Sequence, residues 1–367
     1  MKIVVIGAGV IGSAVAFRLA QAGAEVTIVE ANRVGGGTSG ISFAWTNAHD
    51  KPPRPYHEMN VAGMLAHAAL RAEFGDAPWF HPAGCIEWHL CAEAIAEQAE
   101  QVDQLRDWGY RTEPLTAARL AELEPDVDVG RIGDAPIVHY PDEGWLDPVL
   151  YANAMVKAAQ SLGAVLICGA RVSQIETKGD RATGVHIDDG AVIAADVVVN
   201  CAGRWADRIG EGTDMRLPLA PTVGFLVFTP PVATSVARVL RGAGTMVRPD
   251  GAGRLMTRRN DVDDLVSLDM EPSPAMPQAL QVMDAVATMI PGLKGVKPEA
   301  VRITARPIPA DGLSAVGPMP RLANCYAVVT HSGVTLSPFL AHAVADEIVR
   351  GKDRAELADF RPARFFN

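Results

Sequence analysis

Residues 2–30 read KIVVIGAGVIGSAVAFRLAQAGAEVTIVE, and the fold follows from how this stretch divides. Lys2 to Ile6 is a short apolar run rich in β-branched residues, which predicts a strand buried on both faces. Ser13 to Ala22 is alanine-rich and closed by Gly23, which predicts a helix, and Glu25 to Glu30 predicts a second strand. A strand, turn, helix and strand of this size suit a right-handed parallel crossover, so the chain opens as an α/β unit. Gly7, Gly9 and Gly12 form a Gly-x-Gly-x-x-Gly pattern at the turn. Its glycines permit a tight bend, close approach of backbone to a pyrophosphate and close packing of helix on strand. The helix N-terminus behind it favours an anion, and Glu30, ending the second strand, stands where a ribose hydroxyl would donate.

Beyond Glu30, Arg33 and the run Gly35, Gly36, Gly37, Thr38, Ser39, Gly40 supply a second backbone-rich loop. A simple nicotinamide site does not need one; it suits wrapping a phosphate or flavin ring, or it is a surface loop. The chain holds a single Gly-x-Gly-x-x-Gly, against an enzyme binding both FAD and NADPH on two such folds. It has no Cys-x-x-Cys, against a disulfide reductase.

Further along, helices are expected at Leu65 to Phe74, Ala92 to Trp108, Pro148 to Leu162, Ala279 to Met289 and Pro338 to Arg350. Gly84 to Cys91 alternates, with Ile86, Trp88 and Leu90 on one face, as a half-exposed antiparallel strand does. Strands are expected at Val165 to Cys168, Arg171 to Glu176, Ala182 to Ile187, Val192 to Asn200 and Cys325 to Thr330. Leu217 to Leu268 is rich in Val, Pro, Gly and Thr, with strand-like runs of an antiparallel layer. The expected architecture is α/β plus antiparallel β. A discontinuous Rossmann-type domain (residues 1–75, 140–215 and 306–367) interleaves with a mixed, largely antiparallel substrate domain (76–139 and 216–305).

The composition excludes several classes. With 33 Lys plus Arg against 43 Asp plus Glu, 49% hydrophobic and 21% charged, the 367 residues are ordinary globular material rather than a disordered or fibrous chain. A net charge of −10 offers no footprint for nucleic acid. Five scattered cysteines, Cys85, Cys91, Cys168, Cys201 and Cys325, suit reduced thiols, hence a cytoplasmic setting with peripheral membrane association left open. Glycines interrupt the apolar N-terminus where a signal peptide would not have them, and no apolar run is long enough to span a bilayer. His81, Cys85, His89 and Cys91 cluster, but same-face residues along one strand splay apart and make a poor tetrahedron, so no metal is expected. His57, Glu58, Met59, Asn60, Val61 lacks the second histidine of a zinc protease, and Ser39 lacks a Gly-x-Ser-x-Gly frame.

The sequence resembles the D-amino-acid oxidase superfamily of FAD-dependent oxidoreductases, which includes glycine oxidase, sarcosine oxidase and D-amino-acid dehydrogenase. The resemblance is carried by the N-terminal stretch, GGGTSGISFAWTNA from Gly35, PDEGWLDP from Pro141, VVVNCAGRWA from Val197, ARPIPADGLSAVG from Ala305 and CYAVVTHSGVTLSP from Cys325. It implies FAD with Gly7, Gly9, Val10, Ile11 and Gly12 at the pyrophosphate and Glu30 on the adenosine ribose. Arg33, Thr38, Ser39 and Gly40 would line phosphate and ring, and Val172 would meet the adenine. Ala202, Gly203 and Trp205 would form a turn near the cofactor, and Gly333, Val334 and Thr335 would approach the flavin pyrimidine ring. The cysteine that attaches flavin in sarcosine-oxidase relatives has no counterpart in Val301 to Ala305, so the resemblance implies noncovalent FAD.

The resemblance also implies that Arg306 clamps a substrate carboxylate, a task its forked guanidinium suits, although an interstrand salt bridge is the bland reading. His49 and His331 are candidates to contact substrate or tune the flavin; Tyr56 and Trp45 are weaker ones. The expected activity is removal of hydride from the amine-bearing carbon of a small amino acid or N-substituted amino acid to flavin N5, leaving an imine. A flavin-dependent 2-hydroxy-acid dehydrogenase and a non-catalytic flavin-binding subunit of a complex are the alternatives. The electron acceptor would be a quinone, another protein or O2. The absence of lysine from Gly179 through Leu293 leans toward a dehydrogenase, with Arg254, Arg258, Arg259 or His331 as possible substitute cations.

Overall fold

The computed structural model describes residues 1–210 and 216–366. Its first sheet runs in the order Ala315–Pro318, Cys325–Val329, Val197–Asn200, Lys2–Ile6, Glu25–Glu30, Val165–Cys168. All neighbours are parallel except the first pair. Lys2–Ile6 lies at its middle and is buried on both faces, as its unbroken apolar run requires. Ile3 and Val5 pack under helices Val10–Gln21, Pro148–Ser161 and Gly333–Ile348. Val4 and Ile6 pack against a three-stranded antiparallel sheet of Val172–Lys178, Arg181–Ile187 and Val192–Ala194.

Three expected elements are redrawn. Val192 to Asn200 is two strands in two sheets: after Val192–Ala194 the chain crosses over, Asp196 is tied to Lys2 through backbone and side chain, and Val197–Asn200 joins Lys2–Ile6. The helix ending at Phe74 starts at Arg54, directly behind Pro53. The last long helix begins at Gly333 and carries Pro338 in its interior. Pro338 has no N–H for the carbonyl four residues earlier, Val334; His67 Nε2 donates to that oxygen instead, at 2.8 Å. Burial lowers the His67 pKa to about 4, so the ring serves as a neutral donor.

The second large sheet has eight strands in the order Ala300–Pro309, Leu219–Phe228, Leu255–Arg259, Thr245–Pro249, Val239–Gly242, Cys85–Trp88, Ile137–Tyr140, Glu113–Leu115. It is antiparallel except where Val239–Gly242 meets Cys85–Trp88. One face presents Ile86, Trp88, Phe225, Val227, Leu240, Val247 and Leu255 to the helix Pro277–Met289. By cross-strand register the other face carries Arg302, Arg306, Arg258, Arg248, Arg241 and Glu87, one or two charges from each of five strands, with only Leu219–Phe228 among the six neighbours contributing none. That charged face is turned toward the loops of the first sheet. The expected boundaries at 139/140 and 305/306 fall inside Ile137–Tyr140 and Ala300–Pro309, both strands of this one sheet. No helix among the described residues is long and apolar enough to cross a membrane.

Candidate cofactor groove and substrate recess

A long groove opens at the C-terminal ends of the parallel strands, where ligands of open α/β sheets bind. Its walls include Gly7, Gly9, Val10, Ile11, Glu30, Thr38, Ser39, Val172, Ala202, Gly203, Trp205, Gly333 and Val334. The glycines keep it open. Gly7 sits at φ +93°, and an added Cβ would lie 2.8 Å from Cys201 O. At Gly9 a Cβ would meet Ser39 Oγ at 2.9 Å, just where Val10 N donates to that hydroxyl. Neither the N-cap residue of the helix at Val10 nor that of the one at Gly333 caps it through its side chain, so apart from Val10 N, which Ser39 Oγ holds, first-turn amides at the groove are left for a ligand. Each Glu30 carboxylate oxygen accepts one backbone amide, Ala8 N and Asn32 N, both at 2.8 Å, with lone pairs left for a ligand.

Four expected cofactor residues stand back from the groove. Gly12 serves packing, since a Cβ there would come within 1.9 Å of Gly7 O. Arg33 is exposed, and its carbonyl accepts Gly36 N at the turn. Gly40 lies against Gly35 O and accepts Arg302 Nη1 at 2.7 Å. Thr335 is buried, with Oγ1 accepting Asn47 N at 3.2 Å.

At one end the groove reaches His331. His331 is exposed at this end, the recess of the groove. Burial, reinforced by the charges of Lys51, Arg306 and Arg258, lowers its pKa to about 3 and keeps it neutral. Arg306 crosses over Gly224, where a Cβ would lie 3.1 Å from its Nε. Arg306 and Arg258 both donate to Asp263 Oδ2, while Phe225 N donates to Oδ1 at 2.9 Å. Asp263 thus fills the opening where the Leu219–Phe228 and Leu255–Arg259 strands part.

His49 is elsewhere. Its side chain is fully buried and touches neither groove nor recess, which corrects the expectation of substrate contact. Nδ1 lies 2.9 Å from Glu143 and Nε2 lies 3.4 Å from Glu87, with Arg241 against the same edge. Burial alone would lower its pKa, but Glu143 and Glu87 outweigh that and raise it to about 9. Glu143, wholly buried, also accepts Ala48 N, Trp45 Nε1 and Tyr110 Oη at 3.1, 3.0 and 2.8 Å. Arg241 Nη1 completes the cluster 3.0 Å from Glu87. Glu143 thereby holds the backbone at Ala48 and His49.

Sequence reading missed Asp263, Glu87, Glu143, Arg241 and Lys51. The alternation of Arg248, Arg258 and Arg302 with apolar neighbours signals a charged sheet face, but only strand register reveals that these positions adjoin. Lys51, from the loop before helix Arg54–Phe74, adds a positive charge that acts on His331.

The chain matches the family described as FAD dependent oxidoreductase over residues 2–347, and it belongs to that family of flavoprotein enzymes. It is 25% identical to glycine oxidase from Geobacillus kaustophilus over 374 residues, covering 99% of this chain and 96% of that one. It is 25% identical to D-amino acid dehydrogenase from Xylella fastidiosa over 293 residues, 65% and 67% of the two chains. The structure of L-proline dehydrogenase from P. horikoshii shares the fold, with a TM-score of 0.87 at 21% identity over 100% of this chain and 97% of that one.

Proposed function

We propose that the chain oxidises the carbon–nitrogen bond of a small amino acid or N-substituted amino acid, giving an imine that water hydrolyses. The observation carrying this reading is the pairing of Arg306 and Arg258 on the single carboxylate of Asp263, beside neutral His331 at the end of the groove. FAD bound in the groove would supply a hydride acceptor at N5. The glycine turn, the uncapped helix ends and Glu30 fit its pyrophosphate and ribose. Arg306 binds the substrate carboxylate bidentately and so orients the amine-bearing carbon. His331, with one ring nitrogen unprotonated at neutral pH, accepts a hydrogen bond from the amine and so orients it, while the positive charges of Lys51, Arg306 and Arg258 around it favour the uncharged amine. The names of the relatives, acting on glycine and D-amino acids, support the same class.

The test is anaerobic mixing of the purified yellow protein with D- and L-amino acids, N-methyl amino acids and 2-hydroxy acids. Bleaching by amino acids alone supports the proposal; bleaching by hydroxy acids alone makes it a hydroxy-acid dehydrogenase; bleaching by neither leaves a flavin-binding subunit. FAD should be noncovalent, released by acid precipitation: Cys201, the one cysteine lining the groove among described residues, is a buried thiol whose pKa burial raises. Mixing reduced protein with air-saturated buffer separates oxidase from dehydrogenase. The lack of a middle-strand lysine favours slow reoxidation.

A further inference from the structure

His331 sits at the apex of a turn closed by a side-chain hydroxyl. Thr330 Oγ1 accepts Ser332 N at 3.1 Å, so the residue before the histidine and the residue after it are bound to each other across it. Each of the two is also held by another part of the chain. Ser314 Oγ donates to Thr330 Oγ1 at 2.7 Å, and Tyr56 Oη lies 2.7 Å from Ser332 Oγ. Ser314 precedes the strand Ala315–Pro318, whose antiparallel register, Ala315 opposite Val329, continues to Ser314 and Thr330. Tyr56 comes from the first turn of the helix Arg54–Phe74.

Burial divides the turn. Tyr56, Ser314, Thr330 and Ser332 are buried, whereas His331 between them is exposed at the groove. With the hydroxyls on either side tied inward, the side chain between them is left to face the other way. A buried hydroxyl costs free energy unless it is paired, and an apolar turn would avoid that cost. Hydroxyls that satisfy one another restrict the turn to one arrangement. The turn runs straight into the helix Gly333–Ile348: Ser332 O accepts Leu336 N at 2.9 Å, and Gly333 and Val334 line the groove beside His331.

Resting on the amino-acid reading above, we propose that Tyr56 and Ser314 are positioning residues. Through Ser332 and Thr330 they aim the His331 ring at the donor beside the substrate carboxylate, the amine on that reading. Tyr56 thus does more than pack. Its ring lies 5.9 Å from that of Phe360, a contact phenylalanine would keep, and only the hydroxyl reaches the turn.

The test uses the FAD-loaded protein and two non-oxidisable acids, titrated by perturbation of the flavin spectrum so that binding is measured without turnover. Pyrrole-2-carboxylate carries an N–H donor beside its carboxylate; furan-2-carboxylate carries an acceptor oxygen in the same place. The parent protein should bind the pyrrole acid roughly fivefold to tenfold tighter, the worth of one hydrogen bond accepted by His331. Tyr56→Phe, Ser314→Ala and His331→Ala should each abolish that preference in protein with normal flavin content. Adding Tyr56→Phe to His331→Ala should change the ratio no further, because both act through the same ring. A general loss of stability would weaken both acids alike and leave their ratio unmoved. No preference in the parent, a ratio unmoved by Tyr56→Phe or by Ser314→Ala, or a further fall in the double mutant overturns the proposal. If the ratios behave as described but no amino acid bleaches the flavin, the amino-acid reading fails and the positioning of His331 stands. If amino acids bleach the flavin while the ratios stay unmoved, that reading stands and this inference falls.

Discussion

The groove and the recess at its end are built in opposite ways. The groove is made of backbone: glycines without Cβ, amides without caps, and a carboxylate already holding two N–H groups. The recess is made of side-chain charge, drawn from separate strands of the second sheet and from two loops of the first. A backbone site depends on local conformation and is written into contiguous sequence. A charge site depends on register across strands far apart in the chain, and no local stretch encodes it.

This contrast can be broken by mutation. Arg306→Leu should have the largest effect, a loss on the order of 10² to 10³ in kcat/KM on amino acids, with FAD content unchanged because the groove does not depend on that side chain. Normal kinetics would show that Arg306 serves only Asp263.

The buried cluster behind the recess predicts a pH dependence. The folded His49 ring, with its pKa raised to about 9, keeps a proton that the unfolded chain, near 6.5, has released. The stabilisation is therefore complete below pH 6.5 and lost as pH rises through 9, on the order of 3 kcal/mol. Denaturant unfolding at pH 6.5 and 9.5 should show that decline, and His49→Gln should flatten it. An equally steep decline in the mutant would assign it to other groups.

Glu30→Ala probes the backbone-built region. It should weaken FAD retention roughly tenfold to a hundredfold while the reduction rate of protein still carrying FAD stays near that of the parent, because a ribose contact is uniform along the reaction. Full flavin content after prolonged dialysis would contradict this. The smallest effect is expected beneath the groove: His67→Leu should cost about 1–2 kcal/mol by leaving Val334 O only the longer hydrogen bond from Ser337 Oγ, at 3.3 Å. Adding Pro338→Ala, which restores an N–H to that oxygen, should recover part of the loss. A double mutant no more stable than the single one would show that the carbonyl is satisfied otherwise.

The same contrast explains what could be read in advance. The crossover at Lys2–Glu30, the walls contributed by Gly7 and Gly9, and the antiparallel layer were legible because spacing and alternation are local signals, whereas Thr38, Ser39 and Gly333 were placed by the family resemblance. The helix start at Gly333 was not, since a proline in its interior reads as a beginning unless His67, far earlier in the chain, is known to be the replacement donor. Nor was the isolation of His49: nothing near it in sequence announces that Glu87 and Glu143 enclose it. Asp263 lies in a short acidic helix that resembles any solvated turn until Arg258, Arg306 and Phe225 N converge on it.

The strand order has a temporal meaning as well. Lys2–Ile6 leaves the ribosome well before the strand Val197–Asn200 that covers one of its flanks, and that strand in turn precedes its own outer neighbour, Cys325–Val329. The groove then needs residues through Val334. A nascent chain therefore carries its nucleotide fingerprint paired on one flank only, with Glu25–Glu30, until Val197–Asn200 emerges, and the groove is complete only once Val334 has followed.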